Sequence, residues 1–132
     1  MEDVVSTKVT NPAFALIGFG TLTILGHLAI IVGDLAYLAY LFLDDELDLE
    51  TIPANHSFLI ASFLGLIAGY VIVKGGRRLF DQEKAGWVYA ASLVAIIPCC
   101  SGLPFCCVGA PIGFWVLAVM QDEVVRSVFD DE

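Results

Sequence analysis

Apolar runs of near-bilayer length, separated by short blocks of charge, constrain this chain more than any other feature of its sequence. A helix rises about 1.5 Å per residue, so roughly 20 apolar residues cover the ~30 Å of hydrocarbon in a membrane. Composition agrees: 58% of the 132 residues are hydrophobic and the mean hydropathy is +0.84, whereas soluble domains hold about 45–50% apolar residues. Charged residues make up 16% and cluster between the apolar runs, against about 25% in soluble domains. The chain therefore reads as spans and loops.

The first run starts at Pro12, a residue suited to the first turn of a helix because its missing N–H is not needed there. It passes Gly33 and Asp34 and resumes over 35–43, where Tyr37 and Tyr40 suit the membrane interface. The acidic segment 44–50 and Thr51-Ile52-Pro53 break it, with Asn55 or Ser57 as the N-cap of the next helix. The second run closes at Lys74 and the pair Gly75-Gly76, since glycine accepts positive φ at a helix end. A basic loop leads to a third run from Trp87 to Cys100. The turn Ser101-Gly102-Leu103-Pro104 leads to a fourth from Phe105 to Met120, and a polar tail follows. The expected fold is all-α, a single domain over 1–132 built as an integral membrane bundle of four transmembrane helices, with spans near 12–43, 57–74, 86–102 and 105–121. The third and fourth are short for a bilayer, and a re-entrant hairpin is the alternative for them.

Orientation follows from the six bases, because Lys and Arg in short loops stay on the cytoplasmic side. Four crossings put Lys8, Lys74, Arg77, Arg78, Lys84 and Arg126 all on one side. Both termini and the 74–86 loop are thus expected inside, with the acidic segment and the cysteine turn outside. Glu2 and Asp3 stand where a signal peptide carries bases, so no cleaved leader is expected. A net charge of −9 excludes a nucleic-acid partner, which calls for a basic face.

Small residues recur every four positions at Ala61, Gly65 and Gly69, and again at Gly109 and Gly113. Such stripes let helix backbones touch, within one bundle or between the copies of a homo-oligomer. His27 and Asp34, seven apart on one helix face, form a candidate proton or ion site. The competing reading has the histidine bonded to a neighbouring carbonyl and the aspartate at the interface. Cys99, Cys100, Cys106 and Cys107 bracket the last turn and are either small packing residues or, facing an oxidising compartment, a candidate disulfide site. Adjacent cysteines chelate zinc poorly, and the acids of 44–50 lack the glycine and spacing of a calcium loop, so no metal and no cofactor are expected. Asn55-His56-Ser57 matches the pattern of an N-glycosylation acceptor. Lys74, Arg77 and Arg78 are placed to meet anionic lipid headgroups. No nucleophile with a base, phosphate loop or dinucleotide fingerprint occurs, so no enzymatic activity is expected.

The stretches Ala95-Ile96-Ile97-Pro98-Cys99-Cys100, Pro104-Phe105-Cys106-Cys107, Gly109-Ala110-Pro111-Ile112-Gly113-Phe114-Trp115-Val116-Leu117 and Val124-Val125-Arg126-Ser127-Val128-Phe129 together resemble the closing hairpin of a family of small bacterial multi-pass membrane proteins. In that uncharacterised family a proline–cysteine turn leads into a Pro-x-Gly-x-Trp helix and a short terminal helix. The likeness covers about a third of the chain. It implies a bacterial inner membrane and a hairpin, and no activity. The expected role is a structural or accessory subunit of a membrane complex, in contact with the lipid bilayer and with a protein partner or further copies of itself. The alternative is a small proton- or cation-conducting channel or transporter using His27 and Asp34.

Overall fold

The computed structural model describes residues 2–43, 52–97 and 106–130, and every element in them is helical: α1 (Glu2–Leu43), α2 (Ile52–Phe80), α3 (Ala85–Ile96), α4 (Cys106–Met120) and α5 (Glu123–Asp130). Helix direction alternates. His27 of α1 lies against Gly65 of α2, Ile24 against Gly69 and Ile17 against Gly76, so the two run antiparallel. Gly109 and Gly113 of α4 meet Ala95 and Ser92 of α3 in the same reversed order. α4 also packs beside α1, which closes the four long elements into a ring. The core at one end joins Val5, Val9, Leu16, Leu79, Val116, Met120 and Val125.

Two helices are individually long and apolar enough to cross a membrane, α1 over Val5–Leu43 and α2 over Leu59–Phe80. α3 has 12 residues, about 18 Å. α4 and α5 reach the required length only together and are bent by 80° at the break between them. The four expected spans thus reduce to two or three on length and composition.

Several expected boundaries move for physical reasons. α1 begins ten residues before Pro12, which sits inside the helix and is fully buried. Proline there leaves the Lys8 carbonyl without its helical donor. The segment stays helical because Val5 and Val9, on the face that carries Ala13 and Leu16, are fully buried against the ends of α4 and α5. Gly75-Gly76 does not close α2 either. A β-carbon on Gly75 would run into Ala91 and lie 2.7 Å from the Trp87 carbonyl, and one on Gly76 would lie 2.7 Å from Ile17. These glycines serve close helix packing, and the helix continues to Phe80. It ends where the Glu83 N–H reaches the Arg78 carbonyl (2.9 Å) and the Gln82 N–H reaches the Leu79 carbonyl (3.3 Å), with Gln82 at φ 55°. That is the hydrogen-bond pattern of a Schellman cap, formed here without its usual glycine. The polar tail is the helix α5, turned onto the core through Val125. α2 begins at Ile52, so positions 55 and 57 fall inside the helix and neither Asn55 nor Ser57 is its N-cap. The acidic segment and most of the cysteine turn lie outside the described residues.

Candidate functional site

Beside the side-chain core, the helices also meet through close backbone contact at their glycines. A β-carbon on Gly20 would stand 2.8 Å from Val73 and 3.0 Å from the Gly69 carbonyl; on Gly113 it would stand 2.6 Å from the Ser92 carbonyl. Gly109 abuts both Phe19 and the Ala95 carbonyl. Gly65, Gly69, Gly109 and Gly113 are therefore all occupied within one copy of the chain, whereas Ala61 is exposed. Buried hydroxyls return to their own helices, Thr23 to the Phe19 carbonyl (2.9 Å) and Ser92 to the Val88 carbonyl (2.8 Å). In an apolar medium such bonding removes the cost of an unmatched donor.

His27 is 2% exposed. Its Nδ1–H donates to the Thr23 carbonyl at 2.8 Å, a partner that accepts only, which in a neutral ring leaves the lone pair on Nε2. That nitrogen faces the Cα of Gly65, in the space where any other residue would carry a β-carbon. Asp34 lies seven residues on, roughly 10.5 Å along the axis. It is half-buried, and its Oδ2 is closed to solvent with no hydrogen-bond donor among the described residues. The structure thus places His27 and Asp34 on one helix without a hydrogen bond between them. Cys107 is an exposed free thiol; Cys99, Cys100 and the side chain of Cys106 lie outside the described residues.

Charge concentrates where α1 begins, α2 ends, α3 begins and α4 ends. Lys74 stands 3.9 Å over the ring of Trp87 and 5.6 Å from that of Tyr70. Both aromatic faces attract the ammonium. Arg78 is paired with Glu83, but Arg77, one residue earlier, is exposed and no acid lies within ion-pair distance of it among the described residues. Two grooves flank Arg77. One, of about 350 Å³, is lined by Tyr70, Val73, Lys74, Arg77, Arg78 and Asp81. The other, of about 400 Å³, is lined by Phe14, Ile17, Phe80, Arg77 and Asp81. Phe14 and Phe80 meet edge to face at 5.7 Å.

No family model, curated protein or solved structure matches the chain. The chemistry must accordingly be read from its own side chains. Among the described residues no three His, Cys, Asp or Glu side chains gather where they could hold a metal ion. At the same charged end, Lys8 donates to the Asp122 carboxylate at 2.6 Å. Asp122 also accepts from the Val124 N–H at 3.1 Å, capping α5. The Lys8 hydrogen bond, then the Val124 N–H, hold the Asp122 carboxyl below the usual carboxylate range. Trp87, Tyr70, Phe14, Phe80 and Asp122 are the residues that sequence reasoning passed over. Tyr70 stands four before Lys74, a spacing that brings side chains together on a helix. The other partners depend on how α1 and α3 meet α2 and how α1 meets the end of α4.

Proposed function

We propose that the chain is a structural or accessory subunit of a membrane complex, crossing a bacterial inner membrane four times with both termini cytoplasmic. The observation that carries the reading is the division of its surfaces. Inside, backbones touch at Gly20, Gly69, Gly75 and Gly113 and His27 is locked under Gly65, so the interior is packed. Outside, large apolar side chains such as Leu25, Val32, Phe63, Ile67 and Phe114 are exposed, α1 finishing in Phe42 and Leu43 at 75% and 88% exposure. A surface of that kind requires lipid or a protein partner. The one-sided gathering of bases supports the orientation. α3 and α4 cross as a short pair that the bilayer meets by thinning or by burial against a partner.

Membranes solubilised in mild detergent and weighed by native mass spectrometry should yield an assembly heavier than the 14.2 kDa chain, containing a second protein or further copies. A monomer carrying lipid alone would sink the subunit reading. The unpartnered Oδ2 of Asp34 favours one second reading, a proton or cation path beginning at that carboxylate. It requires proteoliposomes to leak protons in a way that Asp34→Asn abolishes.

A further inference from the structure

We propose that the two grooves on either side of Arg77 form one binding site for a single glycerophospholipid whose headgroup carries an ammonium. The inference rests on the membrane reading above. Three charges in these grooves are without an ion-pair partner among the described residues: the ammonium of Lys74, the guanidinium of Arg77 and the carboxylate of Asp81. Arg78 is already neutralised by Glu83. A phosphodiester needs donors of positive charge, and Arg77 offers a planar fork while Lys74 offers a compact ammonium held in place by Trp87 and Tyr70. Stacking on two rings fixes Lys74 without using its charge up on a carboxylate.

The second groove supplies what a free phosphate has no use for. Phe14, Ile17 and Phe80 make an apolar channel that opens on the same guanidinium, suited to an acyl chain that descends from the phosphate into the bilayer. Tyr70 and Trp87 are residues of the membrane–water interface, the level at which a lipid phosphate lies. Asp81 borders both grooves. Its carboxylate opposes a doubly charged phosphomonoester and attracts an ammonium a few bonds beyond the phosphodiester. Its place is fixed by the capped turn, where the Asp81 N–H donates to the Arg77 carbonyl at 2.9 Å.

The full chain, purified in detergent and stripped of lipid, is titrated with phosphatidylethanolamine, phosphatidylglycerol or inorganic phosphate and read by native mass spectrometry. One phosphatidylethanolamine should be retained, more tightly than phosphatidylglycerol, and excess phosphate should not displace it. Arg77→Gln should weaken retention roughly tenfold, the loss of one charge-assisted hydrogen bond. Lys84→Gln, outside both grooves, should not. Asp81→Asn should erase the preference between the two headgroups while retaining a lipid. Displacement by phosphate would make this a soluble-anion site and overturn the lipid assignment, as would undiminished retention by Arg77→Gln. A preference that survives Asp81→Asn would overturn the ammonium. Unaltered thermal unfolding of the three variants shows that the fold is intact, and membrane fractionation of the same protein tests the membrane reading independently.

Discussion

Asp122 makes two bonds at once, accepting from Lys8 at the far end of the sequence and from the first turn of α5. Both favour its charged form, so its carboxyl titrates below the ordinary value of 3.8. A depressed acid contributes stability above its unfolded value and loses it as pH falls through its folded value. The packing of α5 on α1 should therefore hold through neutral and mildly acidic conditions and loosen only below 3.8. Amide exchange in 123–129 reads this directly, and Asp122→Asn, which keeps an acceptor for Val124 but not the charge, should speed that exchange at neutral pH and remove its acid dependence. Exposure of the pair to solvent makes the effect salt-sensitive. Among the residues singled out from sequence, Lys74 and Arg77 were legible as cations because type and position alone mark them. Tyr70, four residues before Lys74, was within reach of helix spacing. Trp87 and the partner of Lys8 were not, since those contacts join segments with no fixed sequence spacing.

Helices were legible wherever apolar length decides, and α1 through Asp34 to Leu43 is the clearest case. Their ends were not, because glycine and proline carry two meanings. Gly75 reads as a terminator locally, yet in the fold it is the place where α2 and α3 touch. The terminator is Gln82, at a positive φ that costs a residue with a side chain about 1–2 kcal/mol. Exchanging the two meanings gives a paired test. Gly75→Ala should lower stability in detergent by about 1–3 kcal/mol, through overpacking against Ala91 and the Trp87 carbonyl. Gln82→Gly should raise it by up to about 1 kcal/mol. Gly18→Ala, where a β-carbon meets open space on a helix, should be neutral or mildly stabilising. Equal effects at positions 18 and 75 would remove the α2–α3 contact from the account.

At the scale of the molecule, alternating helix direction brings Lys8, Lys74, Arg77, Arg78, Lys84 and Arg126 to one end. Reporter fusions in the turn after Gln82 and at the C-terminus should both read cytoplasmic, and one after Leu47 should read exterior. The Cys107 thiol, exposed at the start of α4, should react with an impermeant reagent from the exterior only; labelling from the cytoplasm alone would invert the map. The antiparallel hairpins were readable from spacing, but the closure of α1 on α5 was not. The Lys8–Asp122 contact spans 114 positions of sequence, and Val5 and Val9 share their core with Val116, Met120 and Val125. Translation runs from the N-terminus, so α1 is made well before the residues that cover its start. Its leading turns wait with two bare valines and a kink-prone proline until Val116, Met120 and Val125 leave the ribosome. A chain cut short before Val116 would keep that wait open, marking an unfinished product for proteolysis at its N-terminus rather than at the break.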